Sequence, residues 1–381
     1  MNVLMICTEK LPVPNIRGGA IQTYICGVAG FLAQKHSLTI LGRDDPELPA
    51  DEWSDGIRYI RVPSEGTLDI YAKGVLEFVR LYGAEYDIIH IFNRPKLVLP
   101  VRELAPGARI ILSMHNDMFT PEKIDPQEAQ GTIFQTERII TISNYIGKSI
   151  ENYYPEAEAK TKTIYSGVDL SRFTPWSQSL AVQHDREALR AEHGLSHKKV
   201  ILFVGRLSRN KGPHVLVRAM GQINHSDAVL VVVGGAWYSD QTVSDYIAYI
   251  RALAQKSPLP VLTTGYVDAH QVHRWFTAAD IFVCTSIWQE PLARVHYEAM
   301  AAGLPFLTTD RGGNQEIVMA NNGLLVMDPE NPAEYAQKLN QLLSDPDLCR
   351  RMGEQGRRLA EERFTWQRVA EDIMSVWERL A

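Results

Sequence analysis

The second half of the sequence contains two glutamates whose spacing could serve the binding of a sugar nucleotide. Glu290 falls in a proline-containing turn after an apolar strand, Ile281 to Cys284, and Glu298 falls about two turns into a helix predicted to begin near Leu292. Carboxylates accept hydrogen bonds from hydroxyl groups, and the free N–H groups of a helix start attract phosphate. The pattern therefore indicates a sugar-nucleotide site, with ordinary helix-capping carboxylates as the alternative explanation.

A basic loop follows the apolar strand Val200–Val204 and is bounded by glycines. Its sequence, from Gly205 to Gly212, contains Arg206 and Lys211, five residues apart. An arginine and a lysine in such a loop can contact one diphosphate together, the arginine in a bidentate manner and the lysine as a point charge. A solvated surface loop would carry similar charges, so the charges alone leave both interpretations open.

Two features in the first half also fall where ligands bind. His115 follows the predicted strand Ile110–Met114, at the sheet edge where α/β proteins hold ligands, although a purely structural histidine would look the same. Gly18 and Gly19 precede a helix with apolar periodicity, where glycines let the backbone approach a phosphate or simply make a turn. No Gly-x-Gly-x-x-Gly follows the first strand, which excludes the dinucleotide fingerprint.

The elements that must position these residues alternate along the whole chain. Apolar strand patterns are followed by helical patterns, which predicts an α/β protein with parallel sheets. A chain of 381 residues is too long for one ordinary core and suits two domains. The pattern loosens between Arg172 and Ser196, which places the domain boundary near residue 175.

The composition argues against several classes of protein. A net charge of −6 gives no reason to expect nucleic acid as a partner. No apolar stretch approaches the roughly 20 residues needed to cross a bilayer, and the first apolar run, Val3 to Cys7, lacks the basic residues of a signal peptide. Four widely spaced cysteines without a Cys-x-x-Cys indicate reduced thiols. These features predict a cytoplasmic protein without a transmembrane segment.

The charged motifs, taken together, resemble those of a known enzyme family. The run from Glu290 to Gly303, the loop from Gly205 to Gly212 and the run from Gly312 to Glu316 resemble the motifs of the family 4 retaining glycosyltransferases. The resemblance implies the GT-B fold, in which two Rossmann-like, doubly wound parallel-sheet domains face each other across a cleft. It implies a hexosyltransferase that moves a sugar from a nucleotide-diphosphate donor to an acceptor.

The resemblance also divides the chain. It implies an acceptor-side domain over residues 1–175, a donor-binding domain over residues 176–364, and a last helix, 365–381, that crosses back onto the first domain. Acceptors in the family are often lipid-linked, so the expected acceptor is a carbohydrate, a lipid-linked glycan or a protein. Peripheral contact of the first domain with a membrane is compatible with such an acceptor.

The resemblance assigns roles to the candidate residues. Arg206 and Lys211 would bind the donor diphosphate and stabilise the charge of the leaving group. Glu290 would bind sugar hydroxyls, Glu298 would bind the ribose, and His115 would face the sugar from the first domain. The expected donor is a UDP-sugar, used without a metal, a cofactor or a covalent nucleophile. Further donor contacts are implied at Gly18, Gly19, Gly234, Tyr266, Val267, Leu292 and Ala293.

One departure from the family pattern keeps alternatives open. The usual Gly-Phe-Gly after the first glutamate is replaced by Pro291-Leu292-Ala293, and a proline has no N–H to donate to the sugar. The run Gln289 to Arg294 resembles that of spore-coat glycosyltransferase-like proteins of endospore-forming bacteria, which suggests association with a spore coat. The alternatives are a weakly active or non-catalytic GT-B protein that serves a spore coat as a structural or binding component, and a nucleotide-sugar epimerase.

Overall fold

The chain divides into two α/β units, each built on its own parallel sheet. The computed structural model describes residues 1–236 and 242–378. The first unit comprises Met1–Gly167 and Trp366–Ala381, and the second comprises Val168–Thr365. Residues 168–175, which the sequence pattern assigned to the first domain, belong to the second unit. The predicted fold class, two doubly wound parallel-sheet domains, is confirmed.

The first unit is organised around an eight-stranded sheet whose central strands are buried on both faces, which explains their continuous apolar sequences. The strand order is β3-β4-β2-β1-β5-β6-β7-β8, and only the edge pair β3–β4 is antiparallel within this sheet. The strands are β1 (Asn2–Ile6), β2 (Ser37–Arg43), β3 (Asp51–Ser54), β4 (Ile57–Val62), β5 (Ile88–Phe92), β6 (Arg109–Met114), β7 (Arg138–Thr141) and β8 (Thr161–Thr163). The helices are α1 (Ala20–Ala33), α2 (Leu68–Tyr82), α3 (Val98–Leu104), α4 (Pro126–Gln135) and α5 (Asn144–Tyr153).

The second unit has a six-stranded parallel sheet of order β11-β10-β9-β12-β13-β14. The strands are β9 (Lys199–Val204), β10 (Ala228–Val233), β11 (Val261–Gly265), β12 (Ile281–Val283), β13 (Phe306–Thr309) and β14 (Gly323–Val326). The helices are α6 (Leu180–Glu192), α7 (Pro213–Ala219), α8 (Asp245–Gln255), α9 (Val272–Ala278), α10 (Val295–Ala301), α11 (Pro332–Ser344) and α12 (Pro346–Arg363). Because the strands are parallel, all the loops that follow them lie at one edge of the sheet, where the candidate residues are found.

The last helix, α13 (Trp366–Glu378), packs into the first unit, whereas Thr365, the first residue of the predicted segment 365–381, belongs to the second unit. The ring of Trp366 lies against α1 at Gly27, where a Cβ would come within 2.3 Å of the indole. Arg109 Nη1 donates a hydrogen bond of 3.0 Å to the carbonyl of Trp377, whose side chain is fully buried. Residues 379–381 of the predicted segment lie outside the described residues. Across the described parts of the chain, no helix is both long and apolar enough to cross a membrane.

Candidate functional site

The basic loop and the loop that precedes Glu290 are locked together by backbone contacts. Thr285 Oγ1 donates to the carbonyl of Lys211 at 2.6 Å, and the N–H of Ile287 donates to the carbonyl of Asn210 at 2.9 Å. Gly212 adopts a φ of +65°, and a Cβ on it would lie 2.2 Å from the carbonyl oxygen of Thr285. The glycine that bounds the motif is therefore required by the close approach of the loops that follow β9 and β12.

Glu290 is the centre of this arrangement. Its oxygen Oε2 accepts hydrogen bonds from Lys211 Nζ at 2.6 Å, Ser286 Oγ at 2.9 Å and Trp288 Nε1 at 2.7 Å. The residue is 6% exposed. Within residues 1–236 and 242–378 no hydrogen bond reaches the other oxygen, Oε1, which is also not among the fully buried polar atoms that lack a partner. One carboxylate oxygen thus orients the side chain, and the other is left for a ligand hydroxyl.

The surroundings keep Glu290 ionised. Burial alone would raise the pKa of its carboxyl, but the positive charge of Lys211 and the hydrogen bonds from Lys211, Ser286 and Trp288 outweigh burial, so the pKa is lowered. The sequence predicted separate contacts for Lys211, on phosphate, and for Glu290, on sugar. The structure brings the two side chains into one ion pair. A ligand with a diphosphate beside a sugar would therefore meet both ends of a preassembled pair.

Glu298 lies in the first turn of α10 and not two turns into a helix. The expectation that the helix begins near Leu292 is wrong: the carbonyl of Ala293 accepts from the N–H and Nδ1 of His296, only three residues further on, and α10 begins at Val295. Glu298 forms an ion pair with Arg294 at 3.5 Å, and its side chain is 15% exposed. Burial raises the pKa of the Glu298 carboxyl, and the charges of Arg294 and Arg172 offset burial only in part.

The raised pKa of Glu298 predicts a pH-dependent cost to stability. The folded protein holds this proton more tightly than the unfolded chain, so the free energy of unfolding falls as pH rises from the ordinary pKa of 4.5 toward neutrality. Glu298→Gln removes the titration. We expect the variant to melt above the wild type at pH 7, with the gap closing toward pH 4.5; each 1 kcal/mol would appear as about 2–4 °C in Tm.

A second glutamate provides the matched control for that experiment. Glu334 accepts backbone hydrogen bonds from Met327 and Asp328 at 2.9 and 2.8 Å. Burial would raise its pKa, but these bonds prevail and lower it. Glu334→Gln should therefore show the opposite behaviour, with a stability loss at pH 7 that shrinks as the pH falls. The measurement is the Tm of the wild type, Glu298→Gln and Glu334→Gln between pH 4.5 and 7. A Tm difference between Glu298→Gln and the wild type that does not change with pH would contradict the raised pKa of Glu298.

The glycine turns that follow β10 and β11 pack against the basic loop. Gly234 has a φ of +148°, and a Cβ on it would lie 1.9 Å from the carbonyl oxygen of Gly205. The N–H of Gly234 donates to the carbonyl of Gly265 at 3.0 Å, and the N–H of Leu207 donates to Gly235 at 2.8 Å. The predicted donor contacts Tyr266 and Val267 follow directly and are partly exposed. Gly234 is thus needed for the packing of these loops even without a ligand.

The Pro291-Leu292-Ala293 segment is buried beneath the glycine-rich loop that follows β13. Leu292 and Ala293 are 6% and 8% exposed, and the Ala293 amide is already bound to Asn314. For the Leu292 amide, no acceptor is found in the part of the chain that the structure describes. On the other side of the segment, a Cβ on Gly312 would lie 2.0 Å from the carbonyl oxygen of Glu290. Of the two backbone N–H groups predicted to contact the donor, that of Leu292 is the one still available to a ligand.

The candidates in the first unit lie in loops that follow strands of one parallel sheet. His115 follows β6, and its ring contacts Tyr24 of α1 with the ring centroids 4.8 Å apart. Gly18 and Gly19 open α1 with φ values of +84° and +100°. Asn93 Oδ1 accepts the backbone N–H groups of His115 and Asn116 at 3.1 and 2.9 Å, and so fixes the loop. The role of His115 toward a donor sugar stays a prediction from the sequence.

Several residues of the site were not predicted. Ser286 and Trp288 bind Glu290, and Asn314 binds the Ala293 amide. Arg294, at the start of α10, pairs with Glu298. A signal existed for Arg294, since it lies four residues before Glu298, the spacing that brings side chains together on a helix. No such local signal marks Asn314, because its partner is 21 residues away.

Comparison with known proteins identifies the family and the fold to which this architecture corresponds. A family model described as Glycosyltransferase Family 4 matches residues 18–172, and one described as Glycosyl transferases group 1 matches residues 185–359. The crystal structure of Anabaena Alr3699/HepE in complex with UDP-glucose is similar over 100% of both chains, with a TM-score of 0.77 and 21% identity. Sucrose-phosphate synthase from Thermosynechococcus elongatus has a TM-score of 0.81 at 24% identity over 100% of this chain and 98% of that chain. The fold is GT-B, the fold of these enzymes.

Similar protein sequences assign the chain to a family. The chain is 43% identical to "Spore coat protein SA" of Bacillus subtilis (strain 168), over 100% of both sequences. It is 40% identical to "Putative glycosyltransferase YtcC" of the same organism, over 99% of this chain and 92% of that protein. The chain belongs to the family 4 glycosyltransferases, as its motifs indicated.

Proposed function

We propose that the protein transfers a hexosyl unit from a nucleoside-diphosphate sugar to an acceptor, with retention at the anomeric carbon. The observation that carries this proposal is the Lys211–Glu290 ion pair, 2.6 Å long, with Glu290 Oε1 left without a hydrogen-bond donor in the described residues. Lys211 offers a cation to phosphate, and Glu290 offers an acceptor to sugar hydroxyls. The pair therefore suits the junction between a sugar and a diphosphate.

The chemistry proposed for the pair concerns the leaving group. Breaking the bond between the anomeric carbon and the diphosphate oxygen places negative charge on that oxygen. Arg206, in the same loop as Lys211, and Lys211 itself would stabilise the charge, which is why we propose that no metal ion is needed. Glu290 would hold the sugar in place through its hydroxyls, and the free Leu292 amide would add one backbone hydrogen bond.

The nucleoside is proposed to lie on the turns that follow β10 and β11. Tyr266 and Val267 are partly exposed there, directly after Gly265, whose carbonyl accepts the N–H of Gly234. Glu298, which forms an ion pair with Arg294, would accept hydrogen bonds from the ribose hydroxyls. Uracil is the base we propose, since the similar Anabaena protein has been crystallised with UDP-glucose, with UDP and with UDP and glucose. The acceptor is proposed to be a glycan of the cell envelope or spore coat.

A structural role in a spore coat is the second candidate. The observation that favours it is the name of the full-length relative, "Spore coat protein SA", at 43% identity. Against a purely structural role stands the buried charge of Glu290, because desolvating a carboxylate is costly and an apolar side chain would fill the space without that cost. An epimerase on the same fold has no specific observation in its favour.

Binding of nucleotide sugars separates these candidates. Among UDP-glucose, GDP-mannose and ADP-glucose, we expect UDP-glucose to raise the Tm, since a ligand at 100 times its Kd stabilises by about 2.7 kcal/mol. Arg206→Ala and Glu298→Gln should lose this shift, because they remove a diphosphate and a ribose contact. Arg251→Gln, on the exposed side of α8, is the matched control and should keep it. Slow hydrolysis of the bound donor would then establish turnover.

A purely structural role in a spore coat predicts that no nucleotide sugar changes the Tm. If millimolar concentrations of every donor leave the Tm unchanged, the transferase proposal is wrong and the fold is kept for assembly. If a donor binds equally well to the wild type and to Arg206→Ala, the donor site lies elsewhere in the molecule.

A further inference from the structure

A cavity lies in the second unit, and Glu290 is not among the residues that line it. Its volume is about 400 Å³, within the range typical of small-molecule sites. It opens between α7 and α8, and none of the residues assigned above to the donor lines it. The lining residues are Arg209, His214, Arg218, Asp245, Tyr246 and Tyr249.

Three rings form a fixed wall of this cavity. His214 Nδ1 and the Tyr246 hydroxyl are 2.7 Å apart, with the two rings nearly perpendicular at 84°. Tyr249 continues the wall, its ring centroid 6.0 Å from that of Tyr246. Its hydroxyl accepts a hydrogen bond from Arg218 Nη2 at 2.7 Å. Because the rings are held by their polar ends, their faces are available to pack against the C–H groups of a ligand ring.

The cavity carries an excess of positive charge. Arg209 and Arg218 both face it, and Asp245 is the one carboxylate among its described lining residues. Neither guanidinium forms an ion pair with a carboxylate in residues 1–236 and 242–378. Burial, followed by the charges of Arg218 and Arg209, lowers the pKa of His214, and the opposing charge of Glu330 is outweighed. Two arginines without carboxylate partners are suited to a phosphate, which they can bind in a bidentate manner.

We propose that this cavity binds a small phosphorylated sugar. The phosphate would lie on Arg209 and Arg218, and the sugar ring would pack on Tyr246 and Tyr249. The carboxylate of Asp245 would accept sugar hydroxyls, and it would repel a second phosphate. A sugar monophosphate therefore fits this charge pattern better than a nucleoside diphosphate does.

The cavity is distinct from the donor site but shares an element with it. Arg209 and Lys211 belong to one short 3-10 helix, Arg209–Lys211. The side chain of Lys211 is directed to Glu290, whereas Arg209 lines the cavity. His214 and Arg218 follow on α7, four residues apart and on the same helix face. One short stretch of chain thus presents cations to two separate sites.

Calorimetric titration with glucose 6-phosphate, glucose and inorganic phosphate tests the proposal on the full chain. We expect saturable binding of glucose 6-phosphate, weakened about tenfold or more by Arg209→Gln or Arg218→Gln, since each removes a charge-assisted contact. Glucose and inorganic phosphate should each bind at least about tenfold more weakly, because each has only half of the contacts. Arg251→Gln, the same charge change on the exposed side of α8, should bind like the wild type.

Three results would overturn the proposal. The first is no saturable binding of glucose 6-phosphate at millimolar concentration. The second is binding that survives both cavity variants but is lost in Lys211→Ala, which would place the ligand at the donor loop. The third is equal affinity for inorganic phosphate and glucose 6-phosphate, which would leave a simple anion patch without a sugar site. Both cavity arginines are exposed, so their substitution does not threaten folding.

Discussion

Lys211→Met is expected to slow transfer strongly and to destabilise the second unit at the same time. Among the described residues, Lys211 is the cation in contact with the buried Glu290 carboxylate. Removing one partner of a buried ion pair costs about 3–5 kcal/mol, and the 18% exposure of the Lys211 side chain places this case at the low end. The transfer rate should fall about 10²–10³-fold, since a group that stabilises the leaving-group charge is lost.

A double variant separates the two effects. In Lys211→Met/Glu290→Gln no charge remains buried, and a glutamine oxygen can still accept from Ser286 and Trp288. We expect thermal unfolding to show most of the lost stability recovered, whereas the transfer rate stays as low as in Lys211→Met. The single variant Glu290→Gln completes the cycle. A double variant that is as unstable as Lys211→Met would show that the stability does not depend on the charge of Glu290.

Gly234→Ala is expected to cause the largest loss of stability among the glycines of the site. The new Cβ would lie 1.9 Å from the carbonyl oxygen of Gly205, at a φ of +148° that side chains rarely adopt. The turn that follows β10 or the basic loop must then move, although the N–H of Leu207 holds the two together through the carbonyl of Gly235. A loss of more than about 3 kcal/mol is expected from strain and overlap together.

Gly265→Ala is the matched control for Gly234→Ala. Gly265 is the last residue of β11 in the same sheet and also has a positive φ, +74°, but a Cβ there would meet open space. Its replacement should cost only the backbone strain, about 1–2 kcal/mol. Thermal unfolding and nucleotide-sugar binding of both variants provide the comparison. Equal losses in the two variants would mean that the contact with Gly205 is not what requires a glycine at position 234.

The strands and the charged motifs could be predicted because their signals are local. The apolar run Phe306–Thr309 became β13 without change, and the periodic segment Leu68–Tyr82 became α2. The short edge strand β3, Asp51–Ser54, was missed because its polar, largely exposed residues show no apolar pattern. A signal was present in the turn Asp55-Gly56, both with positive φ, which is a favoured hairpin sequence.

The details of the site could not be predicted because they depend on loops that meet only in the folded chain. Lys211 and Glu290 are 79 residues apart, and their ion pair follows from the packing of two loops at one sheet edge. The hydrogen bond from the Ala293 N–H to Asn314 likewise joins two loops, one before α10 and one after it. Residue types indicated what could bind, and only the loop packing showed which atoms are already occupied by the protein.

The position of α13 has a consequence for how the protein is made. The first unit is not continuous in sequence: its core includes Trp377, which a ribosome adds only after the whole second unit. Domains commonly fold as they emerge during synthesis. The N-terminal sheet emerges before α13 exists, so the face of α1 that α13 later covers is still exposed. That face includes Tyr24, whose ring contacts Trp366 in the complete protein. The unit translated first is therefore the one completed last, and the nascent chain carries an apolar surface throughout the synthesis of the second unit.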